Sequence, residues 1–115
     1  MITIYTHVSI DSAHKLNLPY ASKCNELHGH RWEIDLELVG DIDPKTGMVV
    51  DFTAIKDFFK EYDHKDLSEL FSFNTTAENM AVQWAHKLKE KFCLQAVGIR
   101  IAETPNNVVE YEVSD

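Results

Sequence analysis

Apolar and polar residues alternate along two long stretches of this chain, and each stretch runs into histidine. Over residues 2–10, Ile2, Ile4, Val8 and Ile10 share one parity, which predicts a strand with these side chains on the core face. His14 has the same parity. A strand that continues unbroken brings it to the core face, whereas a bulge at Asp11-Ser12-Ala13 turns it away. Residues 15–27 read as a connecting loop, with Asn17, Pro19, Ser22 and Asn25. From His28 to Val39, Trp32, Ile34, Leu36 and Leu38 share the parity of His28 and His30. Arg31, Glu33, Asp35 and Glu37 take the other face, the pattern of a half-buried strand. Asp43-Pro44 and Thr46-Gly47 mark a turn. Met48-Val49-Val50 predicts a short return strand, paired as an antiparallel hairpin neighbour.

The period then changes. Phe52, Ile55, Phe59 and Tyr62 follow helical spacing, with Asp51 or Thr53 as cap, and this first helix ends near Tyr62-Asp63-His64. Residues 65–74 read as irregular. Thr75 to Glu78 fits a capping box for a second helix, whose stripe is Ala77, Met80, Ala81, Trp84 and Leu88 and which ends near Lys91. Val97, Ile99 and Ile101 alternate, and Glu103 continues their core parity. Pro105-Asn106-Asn107 marks a hairpin turn before Val109, Tyr111 and Val113. The order predicts an α+β domain with helices on one face of an antiparallel sheet.

A length of 115 residues suits one domain, residues 1–115, with a core of its own. The net charge of −8 argues against nucleic acid as a partner. An anionic small substrate stays open, because a local basic pocket can exist on an acidic protein. No apolar run approaches the roughly 20 residues of a membrane span. Met1 to Tyr5 lacks the basic and hydrophobic blocks of a signal peptide. Two cysteines make no disulfide framework and point to a reducing, cytoplasmic compartment.

The candidate chemistry centres on Cys24-Asn25-Glu26-Leu27-His28-Gly29-His30. Residues two apart in a strand share a face, so His28 and His30 project together. With His14 they make three imidazoles at the ends of core-facing strands, a common catalytic zinc set when one position stays open. The plainer alternative is two surface histidines and one packed in a loop. Cys24 either closes such a site as a fourth ligand or serves as a thiolate base or nucleophile; its spacing fits both. Cys93, near a helix end, reads as a small buried hydrophobe. His64 after Asp63 suits either a helix C-terminus or an Asp-oriented acid–base group. Glu103, on core parity, suits a buried acceptor for ligand N–H groups. His7 and His86 read as surface residues, and Lys15 and Arg31 have the wrong parity for the histidine face.

Together these pieces resemble a family. Ser12-Ala13-His14, Cys24-x-x-x-His28-Gly29-His30, Gly47-Met48-Val49-Val50-Asp51-Phe52, Asp63-His64-x-x-Leu67, Thr76-Ala77-Glu78-Asn79 and Glu103-Thr104 are similar to the 6-pyruvoyltetrahydropterin synthase family. The gap from Cys24 to His28 is most like the bacterial 6-carboxytetrahydropterin synthase branch of queuosine (7-deazaguanine) biosynthesis. The resemblance implies the tunnelling fold, a four-stranded antiparallel sheet with two helices on one face. Its subunits join into a β-barrel, commonly a homohexamer with active sites between subunits. It further implies Zn2+ on His14, His28 and His30, and Cys24 as catalytic base with Asp63 and His64 moving protons. Glu103 and Thr76 would lie on the pterin. The implied reaction converts 7,8-dihydroneopterin triphosphate to 6-carboxy-5,6,7,8-tetrahydropterin, acetaldehyde and triphosphate. The alternatives are triphosphate elimination alone, as in 6-pyruvoyltetrahydropterin synthase, and a non-catalytic pterin- or purine-binding zinc module. The chain departs from the family pattern at Ser68, often Asn, and at Thr75, often Pro. Glu26 stands near the glutamate of relatives that cleave dihydroneopterin.

Overall fold

A computed structural model describes residues 1–115. Strand β1 (Ile2–His14) leads through a loop with one 3-10 turn (Lys23–Asn25) to β2 (His28–Gly40). Helices α1 (Phe52–Lys60), α2 (Leu67–Leu70) and α3 (Ala77–Lys91) follow, then β3 (Ala96–Thr104) and β4 (Asn107–Ser114). The four strands form one antiparallel sheet in chain order, so β1 and β4 are its edges. No helix is long and apolar enough to cross a membrane.

The alternation in the sequence becomes the two faces of this sheet. Val8, Ile10, Trp32, Ile34, Leu36, Leu38, Val97, Ile99 and Ile101 are buried together. Ile55, Phe58 and Phe59 of α1 and Met80, Ala81, Trp84, Ala85 and Leu88 of α3 join the same core. The Trp84 ring meets those of Trp32, Phe59 and Tyr62 edge to face with centroids 5.4–6.0 Å apart, a favoured packing geometry for aromatic quadrupoles. The opposite face is polar. There His7 lies between Asp35 and Glu33, 2.6 Å from each, which raises its pKa, the Asp35 hydrogen bond contributing most.

The two long strands run in unbroken register from Ile2 opposite Gly40 to His14 opposite His28. The possible bulge at Asp11-Ser12-Ala13 is therefore absent. After α1 the chain returns along the outer edge of β1: Ala13 N–H donates to the Lys65 carbonyl at 2.9 Å, and His64 N–H to that of Asp11 at 2.7 Å.

Four expectations need correction. Met48-Val49-Val50 is not a strand. Both edges of β2 are taken, by β1 and β3, so no ladder with β2 is open to it. Instead Asp43 closes the turn, accepting at its carbonyl from Thr46 and Gly47, with Gly47 at φ 75°. Residues 65–74 hold the single-turn helix α2, capped by Asp66 with Leu67 buried beneath. The cap of α3 is Thr76, whose hydroxyl accepts from Asn79 N–H at 3.1 Å, and not Thr75, which is fully buried. Cys93 is exposed. It takes the left-handed position after α3 (φ 52°), with its N–H bonded to the Glu90 carbonyl and that of Leu94 to Lys89. That C-terminal motif buries the next residue, Leu94, and turns the thiol outward. At α1 the cap is Asp51, the first of the two candidates.

Candidate active site

The β1–β2 register brings three imidazoles to one corner of the sheet. His14 faces His28 across the ladder, and His30 follows two residues on. Their ring centroids lie 4.6, 4.9 and 5.2 Å apart, and one ring nitrogen of each falls within 4.8 Å of the others. Trp32 lies against them, its centroid 5.2 Å from His14 and 6.0 Å from His30.

Backbone carbonyls set how two of these rings are protonated. His14 Nδ1 is 2.6 Å from the Thr75 carbonyl and His28 Nδ1 is 2.8 Å from that of Glu26. A carbonyl only accepts, so each Nδ1 carries the proton and each Nε2 a lone pair. His14 is 1% exposed, and the buried Nε2 atoms of His14 and His30 have no hydrogen-bond partner. Unpaired buried nitrogens are costly. Burial also lowers the pKa of both rings, with the Thr75 carbonyl opposing this at His14 and the Glu103 charge opposing it at His30. Neutral imidazoles converging lone pairs on one point are the donor set of a transition-metal ion. The residues present fit such an ion.

Glu103 reaches the same corner. Its Oε1 is 3.4 Å from His30 Nε2, close but not aligned as a hydrogen bond. Glu103 continues the core parity of Val97, Ile99 and Ile101, at the point where the β3–β4 register slips between Ala102 and Thr104. Glu103 also lines a cleft of about 440 Å³ with Ala77 and Glu78 of the first turn of α3, next to the Thr76 cap.

Cys24 and the Asp63–His64 pair are not part of the three-histidine cluster of donors. The Cys24 thiol is exposed on the 3-10 turn and is outside the cluster of nitrogen donors. Asp63 Oδ1 accepts from Asp11 N–H at 2.8 Å, the main reason its carboxyl is held below the usual range. Its Oδ2 is 3.1 Å from His64 Nδ1. His64 is left-handed (φ 57°) and its side chain is 78% exposed. It shares with Gly29, His30, Arg31 and Lys65 a cleft of about 550 Å³. The contributions of Thr75 and Glu26 were not visible in the sequence, because any residue can offer a carbonyl; nor was that of Asp11, whose backbone N–H is equally anonymous.

The family model described as 6-pyruvoyl tetrahydropterin synthase matches residues 3–114. A Haemophilus influenzae protein named 6-carboxy-5,6,7,8-tetrahydropterin synthase is 31% identical over 141 aligned positions, covering 97% of this chain and 99% of that one. A Pyrococcus horikoshii protein described by the same enzyme name is 40% identical over 62 residues, 54% of this chain. That alignment spans only 39% of the archaeal protein. The structure of Caenorhabditis elegans 6-pyruvoyl tetrahydropterin synthase superposes with a TM-score of 0.72 at 31% identity, covering 98% of this chain and 96% of that one. With four strands in that order, the three converging histidines and a family match over almost the whole chain, the protein belongs to the 6-pyruvoyl tetrahydropterin synthase family.

Proposed function

We propose that this chain is a zinc-dependent lyase that converts 7,8-dihydroneopterin triphosphate to 6-carboxy-5,6,7,8-tetrahydropterin, acetaldehyde and triphosphate, a step of 7-deazaguanine (queuosine) biosynthesis. The observation that carries this reading is the pair of buried, unpartnered Nε2 atoms on His14 and His30 beside the tautomer-fixed His28. These three residues would hold Zn2+, which supplies Lewis-acid polarisation of the substrate's side-chain hydroxyls. Cys24 lies outside the nitrogen cluster, which leaves its thiol free to take a proton from the substrate side chain. Asp63 orients His64 through Nδ1, leaving Nε2 to exchange protons at the exposed end of the ring. Glu103 would accept paired N–H bonds from the guanidine-like edge of the pterin, and the cleft it shares with the start of α3, beside Thr76, suits a flat ring.

The outer edge of β4, and that of β1 before Asp11, carry no neighbouring strand, which supports strand pairing between copies into a barrel with sites completed between subunits. A homohexamer in the cytoplasm, where both thiols stay reduced, is part of the same proposal. The C. elegans likeness favours a second reading, triphosphate elimination alone to the 6-pyruvoyl product.

The test is incubation of the zinc-loaded protein with 7,8-dihydroneopterin triphosphate and mass spectrometry of the products. Acetaldehyde with 6-carboxytetrahydropterin is the expected outcome, and a pyruvoyl product moves the chain to the second reading. Cys24→Ala should abolish turnover and leave the zinc content unchanged. Loss of zinc in that variant would make the thiol a ligand and overturn its role as base.

A further inference from the structure

The loop that carries Cys24 has no hydrophobic anchor at its turn: none of Lys23, Cys24 and Asn25 is buried. Hydrogen bonds from two asparagines hold it instead. Asn74 Oδ1 accepts from Asn17 N–H at 2.7 Å, and Asn74 Nδ2 donates to the Asn17 carbonyl at 3.2 Å. One side chain thus satisfies both backbone groups of Asn17, as a neighbouring strand would. On either side of Asn17 the chain reaches the thiol loop. Leu16 N–H donates to the Cys24 carbonyl at 2.8 Å, and Leu18 N–H donates to Asn25 Oδ1 at 3.0 Å. Asn25 Nδ2 closes the loop on the Tyr20 carbonyl at 3.1 Å.

The backbone of Asn74 leads the other way. Its carbonyl accepts from Asn79 Nδ2 at 2.8 Å, which ties it to the first turn of α3. The next carbonyl, that of Thr75, fixes the proton on His14 Nδ1. Asn74 therefore touches the support of the thiol with its side chain and adjoins the support of an imidazole with its main chain.

We propose that Asn74 is a positioning residue that sets the Cys24 loop against the His14 imidazole. This rests on Cys24 being the proton acceptor of the reaction above. Misplacing a reacting group by about 1 Å can cost about a hundredfold in rate, and Asn74 is the side chain that holds both backbone groups of Asn17.

Three variants test this in the full-length, zinc-loaded protein. Asn74→Ala removes both bonds to Asn17. Asn74→Asp keeps the acceptor and turns the donor into an oxygen facing a carbonyl. Asn17→Ala keeps both bonds, since its partners to Asn74 are backbone groups. The readouts are kcat, KM, Tm and hydrogen exchange at the Leu16 and Leu18 amides. For Asn74→Ala, kcat should fall about tenfold or more with KM changed less than about twofold. Exchange at Leu16 and Leu18 should speed up about tenfold, with Tm moving by less than about 5 °C. Asn74→Asp should show the same changes in smaller measure, and Asn17→Ala should match the wild type throughout. The proposal is overturned if Asn74→Ala keeps wild-type kcat and exchange, if Asn17→Ala loses as much as Asn74→Ala, or if exchange rises across the whole chain with a collapse in Tm. Exchange at the two amides needs no turnover. A wild type that leaves the pterin untouched would therefore refute the reading of the reaction, while the amides still decide the role of Asn74.

Discussion

Zinc should stabilise this protein by an amount that one histidine substitution removes, and His28 is the cleanest place to remove it. His14 is 1% exposed, so its deletion would open a cavity and orphan the Thr75 carbonyl, confusing packing with ligation. His28 is half-buried, and its one hydrogen bond runs from Nδ1 to the Glu26 carbonyl. Losing that bond in the metal-free protein should cost about 1 kcal/mol. A metal that binds only the native state adds RT ln(1 + [L]/Kd), about 4 kcal/mol at a thousandfold excess over Kd. In a domain of this size each kcal/mol moves Tm by about 4 °C. Zinc should therefore raise the wild-type Tm by roughly 15 °C over the chelated protein. His28→Ala should begin about 4 °C lower without metal and gain only a small fraction of that increase. Scanning calorimetry after dialysis against EDTA, with and without added Zn2+, gives all four values. A wild type indifferent to zinc would refute the metal assignment. An equal gain in His28→Ala would place the ion elsewhere, with Asp11, Asp63 and His64 the other cluster of donors.

Other outcomes follow from the same geometry. Glu103→Gln should raise KM for the pterin about 10- to 100-fold and leave the zinc-induced shift in Tm intact, since an amide offers one acceptor where the carboxylate offers two; an unchanged KM would remove Glu103 from the substrate. The metal-free protein should lose stability as pH falls below about 6.5, the unfolded histidine value. Burial lowers the pKa of His14 and His30 in the folded state, so the unfolded chain binds more protons there. His7 has the opposite sign: its raised pKa stabilises the fold below about 6.5 and that stabilisation is lost as pH rises through the folded value. His7→Gln should then steepen the acid loss in a Tm series from pH 5 to 8, and a shallower loss would refute the pairing with Asp35 and Glu33. Thr76→Ala should cost about 1 kcal/mol, or roughly 4 °C in Tm, by removing the cap of α3; the same loss in Thr53→Ala, one residue inside α1, would show that the effect is not one of capping.

What was legible in the sequence is what a periodic pattern encodes. A strand's side chains alternate with period two, so once Ile10 and Trp32 are assigned to the core, His14, His28 and His30 follow by parity. The uninterrupted pairing of β1 with β2 then makes parity a meeting point. Three of the four corrections share another cause. Met48-Val49-Val50 has the composition of a strand, but β2, the strand it follows, already has a neighbour on each side, and that is settled by the whole sheet. Thr75 and Thr76 are the same residue type one position apart. The burial of one beneath His14 decides which of them caps the helix. The chemistry of Cys93 suggests an interior residue, whereas in the turn after α3 it is Leu94 that is buried and Cys93 that is exposed.

The site divides along the same line. Its nitrogen cluster is written in the alternation of two strands, whose register alone brings the three positions to one corner. The thiol has no such support in its own neighbourhood. Its loop is tied to Asn74 by side-chain bonds that bridge 57 positions of sequence, and to the protein beyond by α3. A residue whose role is to hold a distant backbone leaves no periodic trace, because its partner is a peptide group and any residue type supplies one. Activity should therefore depend on the Asn74 side chain in a way metal binding, which draws on the Thr75 carbonyl behind His14, does not. A substitution of Asn74 that leaves that carbonyl in place should separate the two, with zinc retained while turnover falls as the thiol loop loosens.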